Sequence, residues 1–199
     1  MAIPLFGYRG KKLNVFGPFI NYTFYEDQPL SLFVQLMPRF QSFKASDDPI
    51  FDGMATRKKA LEAGFGYRLK FKQWQLKGST LSELFGTTNG TEIKTSLSRR
   101  FQYGPFFMTP SISASYLSND HVDYYYGVKS NEATSERGFY KGLKTVNQSI
   151  GFTFATPIFF GGMSRLSLTY THLGDTIQSS PLVDEQNLFN FRFMFTKFL

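Results

Sequence analysis

The chain has 199 residues with 24 Phe, 11 Tyr, 17 Gly, 9 Pro and no Cys, and its 22 Lys plus Arg against 15 Asp plus Glu leave a formal charge of +7. That length suits one domain; the lack of Cys excludes a disulfide scaffold, a thiolate zinc site and a cysteine nucleophile; and no apolar run of roughly 18 residues is available for a membrane-spanning helix. Mean hydropathy is slightly negative at -0.23 despite the many rings, so large aromatic residues are interspersed with polar ones, which favours strands with two differently wetted faces.

Period-two alternation runs through most of the chain and predicts ten strands, near residues 2–8, 12–25, 29–43, 59–72, 74–85, 92–103, 107–118, 146–156, 163–173 and 187–199. The third carries Leu30, Leu32, Val34, Leu36 and Phe40 on one side. In the fourth, Leu61, Ala63, Phe65, Tyr67, Leu69 and Phe71 alternate with Glu62, Gly64, Gly66, Arg68, Lys70 and Lys72. The eighth sets Val146, Ile150, Phe152 and Phe154 against Asn147, Ser149, Gly151 and Thr153, and the last sets Phe189, Phe191, Phe193 and Phe195 against Asn190 and Arg192. Gly17 with Pro18, and Gly78, mark expected bulges.

Alternation fits any half-wet sheet, so the decision rests on what each face holds. A soluble barrel fills its interior with bulky apolar side chains and shows Lys and Glu to water. Here the polar faces carry Gly, Ser and Thr among scattered Arg and Glu, a set that suits a hydrogen-bonded lumen. The large residues then face lipid, as in outer-membrane barrels. Connection lengths agree: short links take turns with longer ones at 44–58, 85–91, 119–145 and 174–186, and with the last strand ending in the periplasm the long ones fall outside, the short 8–11 link excepted. The expectation is one all-β domain over 1–199, an antiparallel transmembrane β-barrel integral to the outer membrane of a Gram-negative bacterium. No basic start or apolar leader precedes the first strand, so the chain reads as lacking an N-terminal segment.

Several blocks then resemble a known family. Ile3-Pro4-Leu5-Phe6-Gly7-Tyr8-Arg9, Phe51-Asp52-Gly53-Met54 with Arg57 and Leu61-Glu62-Ala63-Gly64, Asp123-Tyr124-Tyr125-Tyr126-Gly127-Val128 with Glu132, and Leu173-Gly174-Asp175 leading to Ser180-Pro181-Leu182-Val183 are similar, in order, to the MipA/OmpV family (MltA-interacting protein) of outer-membrane proteins. Ser179 stands where the family usually has an Asp before the Ser-Pro pair. The resemblance implies up to twelve strands in the complete barrel. It also implies an adaptor joining a lytic transglycosylase to a bifunctional murein synthase. The Phe191, Phe193, Phe195 and Leu199 pattern is similar to the signal read by the barrel-assembly machinery, with Leu199 in place of the usual terminal aromatic.

Other candidates are weighed against plain structural roles. His121 and His172 fall near Asp120, Asp123 and Asp175 at strand exits, where an Asp/His cluster can activate water or hold a cation; a polar strand exit and an interfacial ring account for them more simply, so no catalytic residue, metal or cofactor is expected. Tyr124, Tyr125 and Tyr126 read as a short rim strand. Basic residues in the outer loops (Arg57, Lys58, Lys59, Lys129, Arg137, Lys141, Lys144) are expected to meet lipopolysaccharide phosphates and membrane lipid. No strand face joins basic and aromatic residues into a groove for nucleic acid. Arg39, Arg68, Lys70, Arg100, Arg165 and Arg192, with Glu62 and Glu92, point to the lumen, either as an ion-paired plug or as the lining of a small-solute diffusion channel with anion preference. The sequence leaves the oligomeric state open.

Overall fold

The computed structural model describes residues 7–159 and 161–197. Most of the first expected strand, and Leu199 of the assembly pattern, lie outside the described residues. The elements are β1 (Gly7–Arg9), β2 (Leu13–Phe16), β3 (Phe19–Asp27), β4 (Leu30–Arg39), β5 (Ala60–Phe71), β6 (Trp74–Glu83), β7 (Thr91–Arg99), β8 (Phe101–Tyr103), β9 (Phe106–Leu117), α1 (Asn119–Tyr126), β10 (Thr145–Thr156), β11 (Met163–His172), α2 (Asp175–Gln178) and β12 (Asn187–Thr196). They form one antiparallel sheet in which each strand pairs with its sequence neighbour, β8 prolonging β7 along β9. The sheet curls: Gln35 of β4, Lys77 of β6, Lys94 of β7 and Arg192 of β12 line one interior cavity of about 870 Å³. Among the described residues no helix is long and apolar enough to cross a membrane. The crossing is made by strands.

Among the described residues twelve strand segments replace the ten expected, for two local reasons. The stretch 12–25 is two strands, because Gly17 adopts φ +52 and with Pro18 makes a tight hairpin turn that pairs Phe16 with Phe19. The split moves the 10–12 connection to the end that carries the other short turns and leaves the two-residue Gly17–Pro18 turn as the one short connection at the long-loop end. The stretch 92–103 breaks at Arg100, whose N–H donates to the Gln73 carbonyl at 2.9 Å. Gly78 is no bulge: β5 and β6 pair without a slip, and a Cβ at Gly78 would lie 2.4 Å from the Tyr67 ring. The register slips instead at Phe24, between Thr23 and Tyr25.

The two faces differ sharply. Phe65, Ile112, Ile150 and Phe191 point outward and are 59–68% exposed together with Phe189 and Phe193. An uncovered apolar belt of this extent needs hydrocarbon around it. On the inner face, cross-strand rows of small polar residues satisfy one another, with Ser149 hydrogen-bonded to Thr171 at 2.9 Å and Thr153 to Ser167 at 3.0 Å. One ring departs from this rule. Phe33 lies on the inner face opposite Gly66 and is fully buried, and a Cβ at Gly66 would come within 2.5 Å of it. The glycine leaves room for the ring, and Arg68 and Lys77 cover it at 5.6 and 5.2 Å from its centroid.

Candidate functional site

The four long connections, 40–59, 84–90, 118–144 and 173–186, emerge at one end of the barrel and fold over it as a cap. α1 starts where Ser118 caps it, the Ser118 Oγ accepting from the His121 N–H at 3.4 Å and from the Thr91 N–H of β7 at 2.9 Å. It ends at Gly127, whose N–H donates to the Asp123 carbonyl at 2.9 Å. The Tyr124–Tyr126 run is therefore helical, not a rim strand: a serine cap and its contacts to β7 outweigh the strand preference of three tyrosines. Helical spacing turns His121, Val122 and Tyr125 inward. Val122 joins Leu117, Leu173 and Ile177 in a small core on which Tyr126 and Val183 pack. α2 is held by the Ser180 hydroxyl, which donates to the Tyr126 carbonyl at 2.6 Å, and by the Tyr140 hydroxyl, which donates to the Thr176 carbonyl.

Gly174 seats the second half of the cap. Its N–H donates to Asn147 Oδ1 at 2.8 Å, and a Cβ there would lie 1.9 Å from Thr145 Oγ1 and 2.8 Å from the Val146 carbonyl oxygen. Gly174→Ala is accordingly expected to lift α2 from β10, increasing protease cleavage within 173–186 while the strands keep their far-ultraviolet signal. Unchanged cleavage would show that the close approach relaxes at no cost.

At the centre of the cap, Arg57 and Glu132 form a two-pronged ion pair: Nη1 donates to Oε1 at 2.9 Å and Nη2 to Oε2 at 2.7 Å, with side chains only 3% and 2% exposed. Arg57 Nε also donates to the Tyr124 carbonyl at 2.7 Å, and the guanidinium lies 5.5 Å from the Phe43 centroid. Glu132 in turn accepts from the N–H groups of Ala55 and Lys129 at 3.0 and 3.1 Å. Burial pushes the Glu132 carboxyl up, but the Arg57 hydrogen bonds and those two N–H groups outweigh it and hold it down at about 2. Arg137 ties the same loops, donating to the carbonyls of Glu132, Asp52 and Ile50. Arg57 and Arg137 are thus spent on the cap and withdrawn from any surface role toward phosphate. The loop lysines 58, 59, 129, 141 and 144 are exposed.

Beneath the cap, Arg39 bridges two carboxylates: Nε and Nη2 donate to Glu62 at 2.6 and 3.1 Å, and Nη2 also donates to Glu92. The His121 ring sits within the cap above this group, 5.2 Å from the Tyr125 ring. Its Nδ1 is buried and has no hydrogen-bond partner among the described residues. Burial lowers the imidazole to about 4, with the positive charge of Arg39 adding to the effect and Glu92 opposing it. The tyrosine beside it is pushed up to about 12, again chiefly by burial.

The remaining sequence candidates scatter. Gly53, which takes φ +73 in a turn, Met54, Tyr125, Tyr126, Gly127, Val128 and the segment Ser180, Pro181, Leu182 and Val183 all converge in the cap, whereas Tyr8 stands on β1 and is exposed. Of the eight charged residues that the sequence assigned to the lumen, Arg39, Glu62 and Glu92 meet in one cluster and Arg68 covers Phe33. Arg192 lines the cavity, Lys70 and Arg165 are exposed on the strands, and Arg100 lies at the turn end over the Phe107 ring. The two histidines are not brought together. His172 is exposed, hydrogen-bonded to Asn187 at 2.8 Å and Gln178 at 3.2 Å, and Asp123 accepts from the Gly142 N–H at 2.8 Å. Among the described residues no three His, Asp or Glu side chains gather closely enough to hold a metal. Sequence reasoning missed the Arg57–Glu132 pair and Phe33. The one signal available was that Phe33 occupies the polar side of its strand.

A lipid-facing sheet of antiparallel strands with a polar interior and loops folded over one end defines an integral protein of the outer membrane. The family described as MltA-interacting protein MipA matches residues 1–197, and the chain belongs to it. Outer membrane protein Omp26La of Vibrio anguillarum is 25% identical over 188 residues, covering 94% of this chain and 73% of that protein. Putative outer membrane protein YiaT of Escherichia coli K12 is 24% identical over 193 residues, 96% and 78% of the two chains. MltA-interacting protein of the same strain is 25% identical over 191 residues, 92% and 75%. No solved structure matches the chain significantly.

Proposed function

We propose that this protein is a non-enzymatic, closed barrel that serves as an outer-membrane scaffold, bringing a lytic transglycosylase and a bifunctional murein synthase together at its periplasmic end. Two things support the reading. One relative is named for its interaction with MltA. The cap places fully buried residues, Val122, Ile177, His121 and Val128, over the loop end of the lumen, where an open diffusion channel needs a wet passage. With the last strand ending in the periplasm, the cap lies outside, where its exposed lysines face lipopolysaccharide phosphates and the apolar belt meets lipid.

Pull-down from a native membrane extract tests the scaffold: murein transglycosylase and synthase are expected in the bound fraction, and repeated failure to recover either removes the adaptor role. The closed barrel is tested separately in planar bilayers. Silence is expected, and steady open steps selective for anions would establish the small-solute channel instead.

A further inference from the structure

The lumen holds more positive charge than its acids can meet. Its cavity of about 870 Å³ is lined by Arg39, Lys77, Lys94 and Arg192 against Glu62 and Glu92. Both carboxylates are already engaged by the single guanidinium of Arg39 at the ceiling of the cavity. Lys77, Lys94 and Arg192 are left facing the same space with no carboxylate bonded to them among the described residues.

The strand register makes this arrangement unfavourable for an empty protein. Arg68 is directly opposite Lys77 across β5 and β6, and Lys94, opposite Ser79, is the diagonal neighbour of Lys77 across β6 and β7. Like charges placed opposite one another on a sheet repel. Phe33 absorbs part of it through its ring face, but among the described residues no ring covers Lys94 or Arg192. The rest of the wall supplies neutral hydrogen-bonding groups: Ser79, Ser96 and Asn190. Lys94 and Arg192 are also solvent-exposed, so the space can be reached from outside.

We propose that the lumen is a binding site for a small, multiply charged organic or inorganic anion, held between Lys77 and Lys94 on one wall and Arg192 on the other, with the Arg39 cluster as a closed ceiling. Charge-assisted hydrogen bonds to phosphate or carboxylate oxygens are what three such donors around a serine-lined space provide. The site is a dead-end pocket, not a conduction path, and the inference does not depend on the scaffold reading.

The test is isothermal titration of the intact chain, folded in a non-ionic detergent at low salt, with inorganic pyrophosphate in one arm and citrate in the other. Saturable one-site binding with a dissociation constant below about 1 mM is expected in at least one arm, and the arm that responds distinguishes phosphate from carboxylate chemistry. Lys77→Gln with Lys94→Gln is expected to weaken binding about tenfold or more, each lost contact being one to a charged group, and added salt is expected to weaken it as well. Arg192→Gln carries the same test on the opposite wall, so a folding failure of the lysine pair leaves it decidable. Lys129→Gln with Lys141→Gln, on the outer surface of the cap, is expected to change nothing. Binding in neither arm overturns the proposal, as does binding that survives all the luminal substitutions or falls equally with the surface pair.

Discussion

Arg57→Ala is expected to unfasten the cap while leaving the barrel standing. The substitution strands Glu132 as a buried, unpaired carboxylate and removes the donors that satisfy the Tyr124 and Ala55 carbonyls. Breaking a buried pair from one side typically costs about 3–5 kcal/mol, and here the loss falls on the contact that ties 40–59 to 118–144. Protease cleavage within 40–59 and 118–144, or amide exchange there, is expected to rise by two orders of magnitude or more, while the strands keep their exchange protection and the protein still runs as a heat-modifiable band. Replacing both partners with methionine is expected to recover much of the loss, since two apolar side chains leave no charge without a counterpart. If the single variant leaves loop exchange unchanged, the cap is held by its small apolar core and not by this pair. The Glu132 carboxyl adds a pH signature. Its folded value, about 2, lies below the ordinary carboxylate range, so its stabilisation is present above roughly pH 4.5 and is lost as pH falls toward 2.

The second expected result is cap loosening at milder acidity, through His121. The imidazole is lowered to about 4 in the folded cap, whereas a solvated histidine protonates near 6.5. Above about pH 6.5 the ring is neutral whether the cap is open or closed, and nothing changes. Between about 6.5 and 4 the open cap takes up a proton that the closed one refuses, so stability falls with pH, by roughly 3 kcal/mol across the window. Loop cleavage is expected to climb on the order of a hundredfold between pH 7 and 4. His121→Phe removes the titrating group, together with a buried Nδ1 that lacks a partner, and is expected to flatten the profile down to the range where carboxylates take over. A variant whose profile still follows the wild type would place the acid sensitivity elsewhere in the cap.

Much of the barrel was legible in the residue order, because a strand's side chains alternate with period two whatever surrounds them. The segments around Leu61, Val146 and Phe189 were recognisable from that period, and so was the end at which the long loops gather. The places where the reading slipped have one cause. At Gly17, Arg100 and Phe24 the backbone departs from the regular pleat, and a single turn or bulge shifts parity without changing composition. The cap was opaque for a different reason. Arg57 and Glu132 are 75 positions apart, and a basic loop residue reads as a surface charge until its carboxylate arrives from another loop. The tyrosine run reads as strand until Ser118 caps it and β7 receives it.

By itself, then, the amino-acid order determined which face of each strand is greasy and hence that the sheet must lie in lipid, since hydrophobic alternation is a local property. Only the tertiary structure decided which charges neutralise one another, which remain unmet in the lumen, and that the family segments from the long loops meet as a lid over one end. Those outcomes depend on distances between residues far apart in the chain, and the curling of the sheet and the folding of four loops onto it set those distances.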